Sequence, residues 1–487
     1  MQYRGTQSNL FAQDTWRLTP KLTLNYGLSW YVETPPDPQG WARKAVHGFD
    51  PVSGLLTYAA LGQLDPKATS TDLNNFAPRF GLAWQSGFLR GAAIRAGAGI
   101  YYAQYPWIVA QFPIIFSPPF TGGEVFANPQ NNPMPTYVLG ENIFPAELIA
   151  VLTTTYAKNL PAGTQASALD PNLRTGYISQ WNFSIQKGLG KSDSIEWTYM
   201  GSSGHRLLYY TDLSQCRPTP DLYCSAAAKP WPRYNLLVWI DSSGNSSYEG
   251  LIAKYDHRMA GGLNLRFEYA LAKALTDAWQ SSQTSSNQIS DCRSCDKGPA
   301  TFDVRHRAVA SAVWEVPFGR GRRLGSSISR VVDLVAGAWN LTGIAAFATG
   351  QPVYLTAPNQ TDGLFDTPLP NRVCDGRDSR LSGNIRNNGF LWFDTACFPV
   401  PPAGYFGNSG RTVLNGPGLN NWDVGLEKNF SLAGETTRLQ LRAETFNTWN
   451  HAQFEQPNGN AGAGANFGRI SAARPPRLIQ VAAKIYW

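Results

Sequence analysis

The most reactive side chains in this sequence are six cysteines, which fall into three close pairs: Cys216 with Cys224, Cys292 with Cys295, and Cys374 with Cys397. Two chemistries compete for such spacing. Cys292-Arg293-Ser294-Cys295 has the interval of a zinc half-site, but a four-ligand zinc site needs a second thiolate pair or paired histidines, and neither accompanies it. All six cysteines lie in turn-rich, non-strand stretches, and an even count closing short loops fits disulfides formed in an oxidising compartment. The expectation is three local disulfides, with the 216–224 and 374–397 pairs outside the cell, and no metal.

Five histidines, His47, His205, His257, His306 and His451, are dispersed without pairing at metal spacing. His306 stands between Arg305 and Arg307 at the start of a predicted strand, where it reads as a structural feature near an outer rim. No Gly-x-Ser-x-Gly elbow, phosphate loop or carboxylate pair stands in a context that would let it work. The sequence therefore predicts no enzyme and no cofactor.

Charge recurs in a second pattern. Arg266 and Glu268 alternate with Leu265, Phe267 and Tyr269, and Arg438, Gln440, Arg442 and Glu444 alternate with Leu439, Leu441 and Ala443. Spacing by two places each polar set on one face of a strand. Such a face can grip a second domain through charge-assisted hydrogen bonds or simply line a wet interior, and the residues leave both open. Two aromatic groups, Tyr101-Tyr102-Ala103-Gln104-Tyr105-Pro106-Trp107 and Phe390-Leu391-Trp392-Phe393, can stack on a ligand or form part of an interfacial girdle. The girdle is the preferred reading for the Tyr101 group.

The elements that carry these residues follow from composition and period. Of the 487 residues 43% are hydrophobic and only 15% charged, well under the roughly 25% charge of an average soluble domain. Aromatics reach 13%, with 16 Trp, 21 Tyr and 24 Phe, as expected of a surface that crosses from water to lipid. The net charge is +7, yet the basic residues form no run, which argues against nucleic acid as a partner. No segment reaches the roughly 18 unbroken apolar residues of a spanning helix. Met1-Gln2-Tyr3-Arg4-Gly5 opens the sequence without the apolar core of a secretory signal.

Strand patterns are plain. Leu22, Leu24, Tyr26, Leu28 and Trp30 oppose Lys21, Thr23, Asn25, Gly27 and Ser29, and the same alternation recurs at Trp181 to Ile185, Ile195 to Tyr199, Leu263 to Leu271 and Leu439 to Ala443. A soluble sandwich would alternate in the same way, so connection lengths must decide. Tight turns at Leu18-Thr19-Pro20, Ser86-Gly87, Gly190 to Asp193, Ala260-Gly261-Gly262 and Ala433-Gly434-Glu435 alternate with long stretches at about 34–75, 105–176, 210–245, 276–301, 351–418 and 450–476. Short turns on one side and long loops on the other are the habit of outer-membrane barrels. One short-side connection, 318–337, contains Ser329-Arg330-Val331-Val332-Asp333-Leu334-Val335, whose spacing suits a short helix. The count is about thirteen strands, odd where bacterial single-chain barrels are even, and this parity predicts upstream strands beyond this sequence.

These segments resemble a known family. Asn9-Leu10-Phe11-Ala12-Gln13-Asp14-Thr15-Trp16-Arg17-Leu18-Thr19-Pro20-Lys21-Leu22-Thr23-Leu24-Asn25-Tyr26-Gly27-Leu28 resembles the strand-turn-strand of TonB-dependent receptors. Asn75 to Trp84, Phe302-Asp303-Val304-Arg305-His306-Arg307 through Trp314-Glu315-Val316-Pro317-Phe318-Gly319, and Trp339-Asn340-Leu341-Thr342-Gly343-Ile344 look like the Oar-like subgroup. The likeness covers essentially the whole chain. Its end, with Val481, Ala483, Ile485 and Trp487 on one face, is similar to the aromatic-terminated strand that the barrel assembly machinery recognises, although the family usually ends in Phe.

The resemblance implies an all-β fold, a transmembrane antiparallel outer-membrane β-barrel, with residues 1–487 as the C-terminal portion of a 22-stranded barrel. It also implies outer-membrane lipid as surroundings, a plug domain and the TonB complex as partners through a missing upstream region, and an unidentified bulky substrate. Oar-like members tend to carry an N-terminal carboxypeptidase-regulatory-like domain, which is not visible here. Two alternatives stay open at this point: a structural or adhesive surface barrel that transports nothing, and a secreted soluble β-protein.

Overall fold

A computed structural model describes the chain except residues 1, 41, 90, 105–106, 112–113, 115–117, 119–157, 279–287, 291, 360–367, 378–384 and 434–436. Parts of two expected features, Tyr105-Pro106 and the Gly434-Glu435 turn, lie outside the described residues.

Among the described residues thirteen strands follow one another in chain order as an antiparallel path through a single fifteen-stranded sheet. They are β1 (Gln7–Thr19), β2 (Leu22–Glu33), β3 (Asn75–Ser86), β4 (Ala92–Tyr102), β5 (Tyr177–Gly188), β6 (Asp193–Asp212) and β7 (Tyr234–Ala260). Then come β8 (Leu263–Thr276), β9 (His306–Glu315), β10 (Trp339–Ala348), β11 (Leu419–Ala433), β12 (Thr437–Phe446) and β13 (Leu478–Tyr486). Every neighbouring pair is joined by a hairpin, short at one end and long at the other, as the connection lengths predict. The β7–β8 turn shows why such joints are tight: Ala260 pairs with Leu263, and Gly261 and Gly262 between them have φ of 65° and 80°. Positive φ at both central residues suits the twist of flanking strands, and glycine adopts it without strain.

The register fixes two faces. Leu265, Phe267 and Tyr269 of β8 lie opposite Tyr255 and Ala253 of β7 and Ala308 to Ala312 of β9, while Arg266 and Glu268 share the other face with Asp256 and Lys254. Leu439, Leu441 and Ala443 likewise pair with Ile485, Ala483 and Val481. Large apolar side chains of the first face stay exposed, Leu441 by 42% and Val481 by 78%, a cost that only lipid contact removes. Two grooves, of about 580 and 600 Å³, both open on the polar face, the concave side of the curled sheet. Asp14 departs from the pattern, standing on the apolar face of β1, where Tyr26 Oη donates to Oδ2 at 2.9 Å.

The register carries a direct test. Leu441→Arg puts a guanidinium into hydrocarbon, at a cost of about 2 to 4 kcal/mol near the midplane, while Gln440→Arg adds charge to the wet face at little cost. The expected outcome is a weakened heat-resistant folded band on a gel for the first variant only. Equal loss in both would mean the faces are misassigned.

The buried clusters gather in the long connections and the outer ends of β6 and β7. One cluster joins Ala42, Val46, Val109, Leu169, Tyr210 and Val238, and a second joins Phe49, Tyr58, Leu160, Tyr234 and Leu237. Here the structure corrects the sequence reading, which took 210–245 as loop. Strands β6 and β7 run to 20 and 27 residues, about twice the ten or so that cross a bilayer at a tilt. Their surplus stands beyond the membrane as a long hairpin, with Thr164–Leu169 added in parallel along Tyr234–Ile240. Polar runs such as Asp241-Ser242-Ser243-Gly244-Asn245 look like loop because both of their faces meet water or loop rather than lipid.

Candidate functional site

On the concave face the polar residues singled out from the sequence form two ladders. In the first, Arg266 Nε bonds Asp256 Oδ1 at 2.7 Å and Lys254 faces Glu268 at 3.7 Å. In the second, Arg442 bridges Glu427 at 3.0 Å and Glu444 at 2.6 Å. Gln440 donates to Asn429 at 3.2 Å and accepts from Tyr486 Oη at 3.3 Å, and Arg438 lies 4.5 Å over the Tyr486 ring. All six residues thus share the face that their spacing assigned. Their partners Asp256, Lys254 and Glu427 were not singled out, although the same period of two places them there.

Between the ladders the pattern changes. Mid-strand positions of β9 and β10 on this face are Val309, Ser311 and Val313, and Thr342, Ile344 and Ala346. None is charged, and Val313 and Ile344 are exposed by 45% and 50%. The groove of about 580 Å³ borders this strip, with Arg266, Ser311, Thr342, Asp423 and Glu444 on its walls. An uncharged, partly apolar strip flanked by paired charges is chemically suited to holding a folded domain: apolar contact in the middle, charge-assisted hydrogen bonds at the sides.

The three cysteine pairs are joined as disulfides, with Cα separations of 5.7 Å for 216–224, 5.4 Å for 292–295 and 4.9 Å for 374–397. All lie in long connections on one side of the sheet and close an outer cap. Cys216 and Cys224 pack with Ile289 and Phe406, which brings three connections together. Gln288 knits the same three. Its side chain donates to Gly407 O at 2.7 Å and accepts from Leu369 N at 2.7 Å, and its carbonyl accepts from Gln215 Nε2 at 2.9 Å. Below it Arg411, wholly buried, bonds Asp296 at 3.2 Å and Tyr354 Oη at 3.1 Å. Nearby, burial pushes the Asp212 carboxyl up to about 6, opposed by N–H donation from Leu237 and Ser214.

Two of the histidines make close polar contacts with neighbouring strands. His306 opens β9 and meets Tyr269 Oη at 2.7 Å, and His257 pairs with Asp193 at 2.8 Å. Among the described residues no group of three or more His, Cys, Asp or Glu is placed to hold a metal. Tyr102 packs against Tyr31 and Tyr177, with centroids 6.4 and 5.6 Å apart, where those strands meet the long connections. Arg79 lies 4.8 Å over Tyr101. Phe393 belongs instead to a cap cluster with Phe398 and Phe467. Val481, Ala483 and Ile485 line one face of β13, and Trp487 follows one residue beyond its end.

A thirteen-strand antiparallel meander, apolar outside and wet inside with long loops on one side, is the architecture of an outer-membrane β-barrel. A family model described as outer membrane beta barrel domain matches residues 1–480, and the chain belongs to that family. Its place is the cell outer membrane. No curated protein sequence matches it. Among solved structures it is similar to the ferric enterobactin receptor PfeA of Pseudomonas aeruginosa, at 12% identity and a TM-score of 0.47, covering 99% of this chain and 45% of that one. For the FrpB iron transporter of Neisseria meningitidis the figures are 9% and 0.45, with 99% and 46% covered. For BauA, the ferric preacinetobactin receptor of Acinetobacter baumannii, they are 11% and 0.45, with 99% and 43% covered. The chain spans a little under half the length of these proteins, and identity this low carries no information on cargo.

Proposed function

We propose that this chain is barrel of an energised uptake receptor of the TonB-dependent kind, moving an unidentified bulky substrate across the outer membrane, and that it is not an enzyme. The observation that supports this most is the concave face, two paired-charge ladders about an uncharged strip, which is suited to seating a plug. A simple wet channel has no need of the exposed Val313 and Ile344 there. In this reading the barrel assembly machinery engages β13, outer-membrane lipid covers Leu441 and its neighbours, and the plug and TonB complex act through sequence outside residues 1–487. The Oar-like subgroup rests on the motifs alone.

A second reading, a surface barrel that adheres and transports nothing, draws on the hairpin of β6 and β7, which stands well clear of the bilayer. Uptake by a deletion strain separates the two. The expected result is loss of one large, scarce nutrient's uptake, restored by the gene and abolished when the inner-membrane proton gradient is collapsed. Unchanged uptake of every nutrient with lost surface attachment would favour the adhesive barrel.

A further inference from the structure

The connection between β9 and β10, residues 316–338, is the longest on the short-turn side and folds into a helix at Arg330–Ala336. Ser329 caps it by accepting from Val332 N at 3.3 Å. Its aliphatic side chains do not pack inward. Val331, Val332, Leu334 and Val335 are exposed by 75, 47, 53 and 71%, while Asp333 turns to the protein, where Oδ1 accepts from Arg320 N at 2.8 Å. Four contiguous aliphatics on a seven-residue helix are a poor surface to leave in water.

The attachment points say where this surface sits. Trp339 Nε1 donates to Val335 O at 2.9 Å, and Lys428 Nζ donates to Gly337 O while lying 5.1 Å over the Trp339 ring. Trp339 and Lys428 face each other on the apolar side of the sheet, in line with Leu341, Leu426 and Leu441. The helix therefore hangs from the lipid-facing rim, continuous with the membrane surface and away from the concave face where a plug or an energising partner would bind. The same connection carries four arginines. Arg322 pairs with Glu315 at 3.3 Å, whereas Arg320, Arg323 and Arg330 make no salt bridge among the described residues.

We propose that residues 316–338 form an interfacial anchor. The helix lies in the headgroup and acyl boundary of the periplasmic leaflet, its four aliphatic side chains in the acyl region and Arg320, Arg323 and Arg330 on the phosphates of anionic phospholipid. Apolar side chains with basic residues around them and a tryptophan at the junction are what such a position selects, with burial about 5 to 10 Å deep. The anchor fixes the depth at which the barrel's short-turn rim meets the bilayer.

Nitroxide labels read immersion directly. The six native cysteines are joined in disulfides, so Val331→Cys, Leu334→Cys and Val335→Cys each add one thiol to residues 1–487, which are expressed together with the preceding coding region and reconstituted in phosphatidylethanolamine liposomes with or without phosphatidylglycerol. Val52→Cys, in a long connection and 91% exposed, serves as the water-side control and Leu341→Cys as the lipid-side control. At the three helix sites the ratio of oxygen to nickel-chelate collision is expected to exceed that at Val52 by about threefold or more. Omitting phosphatidylglycerol, or Arg323→Gln with Arg330→Gln, is expected to lower it. Helix sites as open to the nickel chelate as Val52 would overturn the anchor, and depth indifferent to phosphatidylglycerol would overturn its electrostatic half. Should a labelled variant fail to give the folded band, a diazirine phospholipid applied to the unaltered chain decides the matter. Adducts on 330–336 support immersion, and adducts on β10 with none there refute it.

Discussion

Arg411→Ala is expected to open the outer cap while leaving the membrane-embedded sheet folded. The guanidinium is buried against Asp296, whose carboxylate also accepts from Gln288 N at 2.5 Å. Removing the cation takes away the guanidinium that offsets this carboxylate in a dry site, a defect of about 3 to 5 kcal/mol. A loop cap has little stability to spare, so a loss of this size should separate the connections that Gln288 holds together. Protease added to intact cells should then cut within 292–305 or 385–418, where the unaltered protein resists, with the heat-resistant band of the core retained. The control is Arg411→Met combined with Asp296→Asn, which keeps volume and removes both charges. It should recover most of the protection, since a neutral pair carries little of the desolvation cost of an ion pair. Wild-type resistance in Arg411→Ala would show that the pair does not hold the cap.

This cap marks the boundary of what the sequence could disclose. Alternation in Leu263 to Leu271 or Leu439 to Ala443 is a local signal: each side chain's face follows from its neighbours two residues away. The strand count, the hairpin turns and the shared face of Arg266, Glu268, Arg438, Gln440, Arg442 and Glu444 could be read on that basis. Cysteine pairs separated by 3, 8 and 23 residues are nearly as local. Arg411 and Asp296 lie 115 residues apart and Gln288 and Gly407 lie 119 apart. Nothing in the immediate surroundings of these residues distinguishes them from other polar loop residues. The outer ends of β6 and β7 escaped notice for a related reason. With no lipid on one face they need no apolar alternation, and their polar runs imitate loop. The neutral strip on β9 and β10 was legible in principle, as Val309-Ala310-Ser311-Ala312-Val313 shows, but an apolar residue at both parities gives no face to read.

The largest effect is expected when residues 1–487 are expressed by themselves behind a signal that exports them: they should fail to give a closed, monodisperse barrel. Strands β1 and β13 each pair on one side only among the described residues. Both are odd-numbered in an unbroken antiparallel meander, so both run from the long-loop side to the short-turn side. Bringing these edges together would require a parallel pair, which the even-stranded single-chain barrels of bacteria avoid. Left apart, each edge presents unpaired N–H and C=O groups to hydrocarbon, at several kcal/mol per group, and no gain elsewhere on the sheet is large enough to offset two such edges. An odd number of added strands removes the conflict, because it reverses the direction of the strand that meets β13. The 22 strands implied by the resemblance would supply about nine. The expected outcome is aggregation or degradation of 1–487 alone and a heat-modifiable monomer when the preceding coding region is included. A stable, heat-modifiable monomer from 1–487 alone would contradict this, requiring either a parallel seam or a regrouping of the strands. It would also weaken the uptake reading in favour of the adhesive one, since thirteen strands enclose a narrower lumen with less room for a plug.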